Sequence, residues 1–202
     1  MTNRLTIAEA FAAWKSDIMP GVIDQYGADD VPALSESWND YTDGLCKDGQ
    51  LSDLQYHHCP AWDDEMPDDD GDGAYILEQM GVTFAALRIN ERPDGNMSDM
   101  PAGSTHWRIL IKRSGKDMTV FYSMGPAHSG TPDDCDVFNS LLMDTSDIEG
   151  EAFEDWAENL GFDPDSRKAE RCFKACQETL LNLRTLFTNR ELDDLRELFA
   201  DY

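Results

Sequence analysis

The run Asp68-Asp69-Asp70-Gly71-Asp72-Gly73 places carboxylates at the first, third and fifth positions of a loop and glycine at the sixth, as a calcium-binding loop begins. The remainder departs from that pattern, because the twelfth position is Gln79 where a bidentate glutamate is needed and Glu78 lies one place early. The run therefore reads as an acidic linker. Cys46, His57, His58 and Cys59 supply zinc-type side chains within fourteen residues, but without the paired spacing of a zinc site they read as a loose cluster with partly buried structural thiols. Cys172 and Cys176 stand one helical turn apart on an apolar stripe, a spacing that packing accounts for. His128-Ser129-Gly130 offers a hydroxyl beside an imidazole, although adjacency in sequence is not the geometry a nucleophile needs. The motifs GxSxG, HExxH, GxGxxG and the phosphate loop are absent. The expectation is a protein with no catalytic residues, no metal and no cofactor, with a small hydrolase at the His128 or His58 region ranked third among the readings.

Carboxylates are far too abundant for any one pair to signal acid–base work. The chain has 202 residues with 41 Asp and Glu against 16 Lys and Arg, a formal net charge of −25. A small domain needs roughly 2–8 charges of one sign for solubility. The excess repels itself and costs stability, so a partner of opposite charge is the natural inference. Direct binding to DNA, RNA or an anionic membrane is disfavoured, since those polyanions need a basic footprint. The acids are also segregated: residues 1–80 hold 18 acids and 3 bases, residues 81–125 hold 4 and 6, and residues 126–202 hold 19 and 7. A solvated acidic surface of the halophilic kind would spread its charge along the whole chain.

The candidate partner-binding residues follow from that distribution. The first group is Asp63, Asp64, Glu65, Asp68, Asp69, Asp70 and Asp72; the second is Asp144, Asp147, Glu149, Glu151, Glu154, Asp155 and Glu158. Duplex DNA carries about one negative charge per 1.7 Å of axis, so a protein that grips phosphates would meet comparable charge here.

These groups need elements to carry them. Thr6-Ile7-Ala8-Glu9 is a capping box, and Ile7, Phe11, Trp14 and Ile18 then recur at helical spacing until Pro20-Gly21 interrupts. Leu34, Trp38, Tyr41 and Leu45 mark a second helix after Pro32. Residues 1–60 are read as a helical module, 61–80 as an acidic linker, and 81–202 as an antiparallel sheet with helices. VTFAALRI, HWRILIKR and MTVFYSM have strand composition, and Ser114–Asp117 is short enough to close a hairpin between the last two. Thr131, followed by Pro132, is the expected cap of a helix through Val137, Phe138, Leu141 and Leu142. A further helix through Phe153, Trp156, Ala157 and Leu160 stops at Gly161, Asp163-Pro164 opens a long one through Cys172 to Phe187, and a last one carries Leu192, Leu195 and Leu198. The fold class is α+β: a three-stranded antiparallel sheet packed on C-terminal helices, with an N-terminal helical module.

From Trp107 onward, and most of all from Phe153-Glu154-Asp155-Trp156 through LGFDPDSRKAERCFKACQ to Gln177, the sequence resembles small acidic accessory proteins of bacteriophages and prophages. The resemblance covers about half the chain, with Asp165–Glu170 (DSRKAE) a fairly specific segment of it. It implies a mobile-element origin and a kind of protein that includes antirestriction and anti-CRISPR inhibitors, several of which look like DNA to their targets. The expected partner is then a basic nucleic-acid-binding protein or defence complex in the cytoplasm of a bacterial host. A homodimer would lengthen a continuous acidic face. A non-enzymatic phage accessory or structural interaction protein is the alternative. Five cysteines, an odd number, fit a reducing compartment, and Glu9, Lys15 and Asp17 interrupt the apolar pattern of the first nineteen residues, so no export signal or membrane span is read.

Overall fold

The structure, a computed structural model, describes residues 4–67, 72–90, 101–146, 148–163 and 165–200. In chain order they form α1 (Ile7–Asp17), α2 (Met19–Tyr26), α3 (Val31–Lys47), α4 (Asp53–His57), α5 (Gly73–Gln79), β1 (Thr83–Ile89), β2 (Thr105–Arg113), β3 (Lys116–Met124), α6 (Asp134–Ser146), α7 (Phe153–Asn159), α8 (Arg167–Leu186) and α9 (Asn189–Phe199). The class is α+β: among the described residues, helices flank one three-stranded antiparallel sheet in sequence. The chain divides into two compact units, Met1–Gln79 with Glu197–Tyr202, and Met80–Arg196.

In the first unit the expected capping box is present: Thr6 Oγ1 accepts from the Glu9 amide at 3.1 Å and Glu9 Oε2 accepts from the Thr6 amide at 2.9 Å. Two of the four orphan amides at the start of α1 are thereby managed locally. Pro20 bends the chain without ending helical structure, because it falls at the start of α2, where its missing N–H costs nothing. Trp14 and Trp38 anchor a core with Ala10, Leu34, Leu45 and Leu51, their rings 5.5 Å apart. Buried indoles need partners for their N–H groups. Trp14 donates to Ser37 Oγ at 3.1 Å and Trp38 to the Pro60 carbonyl at 2.9 Å.

In the second unit the strand order is β1-β2-β3, all antiparallel. Ser114 and Gly115 form the two-residue turn between β2 and β3 with φ of 52° and 79°. Left-handed conformations at both positions match the right-handed twist of the flanking strands, which is why so short a connection suffices. Phe84, Ile111 and Met118 stand abreast on one face, as do Ala86, Ile109 and Val120. That face packs on helices, with Phe84 edge-on to Phe138 of α6 at 6.2 Å. Arg113 at the end of β2 ties the unit together: Nε donates to Met80 O at 3.1 Å, Nη1 to Leu186 O at 2.9 Å and Nη2 to Glu191 Oε1 at 2.6 Å. Its guanidinium also lies 4.7 Å from the Phe187 ring centroid.

Two helix starts differ from expectation. Asp133, not Thr131, caps α6, its Oδ1 accepting from the amides of Cys135 at 2.8 Å and Asp136 at 3.2 Å. Asp and Thr are both good caps, and the two-residue offset moves the first turn past Pro132. Likewise α8 begins at Arg167 under Ser166, whose Oγ accepts from Lys168, while Asp163 closes the turn before it.

Candidate acidic interaction surface

In the first unit, Asp63, Asp64 and Glu65 are exposed immediately after a segment pinned to α3. Trp62 Nε1 donates to Ser35 Oγ at 3.1 Å, and its ring lies 6.4 Å from that of Trp14. A bulky apolar anchor just before three carboxylates leaves them no route but outward. Among the described residues none of the three joins an ion pair. Asp64 and Glu65 also line a cavity of about 450 Å³ with His57, His58, Cys59, Tyr75 and Gln79.

Asp72 departs from the surface group. It is 3% exposed, and its oxygens accept from the Ile7 amide at 3.0 and 3.2 Å and from Gln55 Nε2. A carboxylate at the first amide of α1 faces the positive end of the helix, a favourable place for negative charge. Burial nevertheless raises its pKa, against the lowering pull of the Gln55 and Ile7 hydrogen bonds. Asp72 is thus a structural carboxylate and cannot touch a partner. Asp68, Asp69 and Asp70 lie outside the described residues.

In the second unit the surface is built on α7. Trp156 is 3% exposed and sits among Phe153, Phe162 and Phe173, with ring centroids at 6.3, 5.3 and 5.2 Å. Ala157, Ala169 and Leu180 complete this cluster. With that face buried, Glu154, Asp155 and Glu158 are left exposed. Glu154 and Asp155 lie in the first turn, where the helix dipole favours them. Glu154 and Glu158 are a like-charge i,i+4 pair, a modest internal cost. None of the three joins an ion pair among the described residues. Glu151 is exposed and accepts from Asn159 Nδ2 at 3.4 Å. Asp144 is exposed on α6; its charge adds to burial and to that of Asp136 in holding the Tyr122 phenol above its usual range.

Glu149 behaves differently from its neighbours. It is bracketed by Arg184 and Arg196, the latter through Nη1 to Oε2 at 2.6 Å. Two guanidiniums neutralise it within the fold, so it adds little to an acidic face. Asp147 lies outside the described residues. Sequence reasoning passed over Asp163 and Asp165, which are exposed just beyond α7 in the same base-free stretch.

The alternative chemistries gain nothing from this geometry. Burial, then the charge of Asp72, pushes the Cys59 thiol up to about 12, and burial, with the hydrogen bond and charge of Asp53, raises that of Cys46. Protonated thiols are poor nucleophiles and poor metal ligands. Among the described residues no three His, Cys, Asp or Glu side chains are grouped to hold a metal ion. His128 and Ser129 are both exposed, with no hydrogen bond joining their side chains. No described helix is long and apolar enough to cross a membrane. Comparison with family models, with curated proteins and with solved structures finds no match to the chain.

Proposed function

We propose that this chain is a phage or mobile-element inhibitor that binds a nucleic-acid-binding bacterial defence complex, a CRISPR effector or a restriction system, through acidic surfaces that stand in for DNA. It acts in the host cytoplasm and by binding, without catalysis. The observation that carries the reading is the contrast between acids with and without internal partners. Glu149, Glu170 and Glu191 each have a Lys or Arg within the fold, whereas Glu154, Asp155 and Glu158 have none among the described residues. Four residues of helix span about 6 Å, so these three carboxylates present on the order of one charge per 2 Å, close to the ~1.7 Å of duplex DNA. Asp63, Asp64 and Glu65 offer a second such cluster, and a second copy of the chain would lengthen the surface.

The test is competition. Purified protein is titrated into preformed complexes of labelled duplex DNA with a panel of CRISPR effectors and restriction enzymes. Displacement from one of them, weakening between about 0.15 M and 0.5 M salt as screening tightens, supports the proposal. No displacement from any of them overturns it. A non-enzymatic accessory or structural interaction protein is the second reading, favoured by the exposed apolar side chains of Met143, Leu160 and Leu181. That reading requires a partner whose affinity ignores ionic strength.

A further inference from the structure

The strands carry five of the bases, Arg88, Arg108, Lys112, Arg113 and Lys116, and a single acid, Asp117, a net +4. Against −25 for the whole chain, everything outside them sums to −29. Two copies, each strongly negative, repel one another, and the strands are the part of the chain that adds least to that repulsion. One border of the sheet is also unpaired among the described residues. β1 is an edge strand, and among the described residues no backbone hydrogen bond from Thr83–Ile89 reaches anything but β2. The opposite edge, β3, is guarded: Lys116 and Asp117 stand at its start, and Lys116 Nζ donates to Thr185 O of α8 at 2.9 Å. Edge strands of monomers are ordinarily blunted by Lys, Pro or a bulge. The sequence TFAALRI of β1 has no Lys, no Pro and no acid, and Leu87 on it is 52% exposed.

We infer that β1 is a self-association edge, at which two copies of this chain pair antiparallel about a twofold axis through Ala86 and join their sheets into one of six strands. The register follows from the sequence of the strand. With Ala86 opposite its own mate, Ala85 faces Leu87, Phe84 faces Arg88 and Thr83 faces Ile89, each pair occurring twice by symmetry. Ala85 with Leu87 is an apolar cross-strand pair on the face away from the helices. Phe84 with Arg88 sets a cation against the negative face of an aromatic ring, an electrostatic match made without any acid. Arg88 is exposed and has no partner among the described residues, so it is available for that contact. A shift of one residue would place Leu87 opposite its own mate with Arg88 facing Ala86, and the cation would lose its ring.

The contact is small. Seven residues extend about 23 Å, and one strand pair lies below the area of a standard stable interface. The dimer is therefore weak and reversible, with a dissociation constant on the order of 10–100 µM. Because each copy carries −25, salt strengthens it by screening their repulsion. That dependence is opposite in sign to the one proposed for the acidic surfaces, so either proposal can fail without the other.

Sedimentation equilibrium of the full chain at about 5–500 µM, in 0.15 M and 0.5 M sodium chloride, tests the inference with two variants of equal charge. Leu87→Glu adds a carboxylate to the proposed seam, and Leu181→Glu adds one to an exposed position on α8, 63% accessible. The expected result is a species of twice 22.8 kDa that grows with concentration and salt, persists in Leu181→Glu and is weakened tenfold or more in Leu87→Glu. Circular dichroism of both variants shows whether they remain folded, and their exposed positions favour that outcome. A wild-type chain that stays monomeric at 500 µM in 0.5 M salt overturns the inference. So does equal weakening in both variants, which would assign the effect to net charge, or full dimerisation of Leu87→Glu.

Discussion

Asp72 and Gln55, seventeen residues apart, meet in the interior, where the Gln55 amide donates to a carboxylate that also receives the first amide of α1. Gln55 extends the link, accepting from the Ser52 amide at 2.7 Å and donating to Leu5 O at 2.9 Å. One buried side chain thus joins the starts of α1, α4 and α5. Replacing it with alanine strands at least two buried donors, a loss of about 2–3 kcal/mol. Urea unfolding of Asp72→Ala should show that loss, while displacement of DNA from the target complex persists under conditions where the variant is folded. Unchanged stability would contradict the structural role.

Two of the perturbed acids, Glu191 and Asp72, have opposite pH signatures. Glu191 is held at about 2, first by its hydrogen bond from Arg113 and against the cost of burial. Its stabilising contribution is complete above its unfolded value near 4.5 and is lost as pH falls toward 2. Asp72, raised by burial, works the other way: its ionisation lowers stability as pH rises from the unfolded value near 3.8 through the folded one. Relative to wild type, Glu191→Gln should flatten the decline in unfolding free energy between about pH 4.5 and 2. A decline of unchanged steepness would remove the Arg113–Glu191 pair from the account of acid stability.

Arg113 is a sheet residue whose replacement should be costly. Its side chain is 15% exposed and satisfies two carbonyls and a carboxylate at once. Arg113→Ala should cost about 3 kcal/mol, and Arg113→Lys should recover only a minor part, since an ammonium cannot reproduce the planar fork. Thermal unfolding of both variants decides this; full rescue by lysine would show that charge alone matters.

The acidic face of α7 depends on the aromatic cluster beneath it. Trp156→Ala removes a fully packed ring and should cost about 3–5 kcal/mol, while Trp156→Phe should lose less. Because α7 has only seven residues, its helicity rests on this packing more than on propensity. On the proposed function, binding of the target complex should therefore fall in Trp156→Ala although no charge has changed.

Much of the fold was legible because local rules and burial agree. The stripe through Ile7 and Trp14, the alternation in β2 and β3, and the buried Leu192 and Leu195 all follow from periodicity. Asp72 was not legible, because in sequence it is one of a run of acids and only Ile7 and Gln55, distant along the chain, turn it inward. Glu149 was hidden for the same reason: Arg184 and Arg196 lie 35 and 47 residues away, and composition cannot show which carboxylates the few bases select. Short helices such as α4 and α5 carry too little periodic signal to separate from a linker.

The most direct test of the central claim compares the wild-type chain with Glu154→Gln/Asp155→Asn/Glu158→Gln in displacing duplex DNA from the defence complex proposed as its target, across a series of salt concentrations. Losing three exposed charges should weaken displacement about tenfold at low salt and flatten its dependence on salt, with circular dichroism and unfolding unchanged. Equal potency and equal salt dependence in the two proteins would contradict the claim that the α7 carboxylates stand in for phosphates.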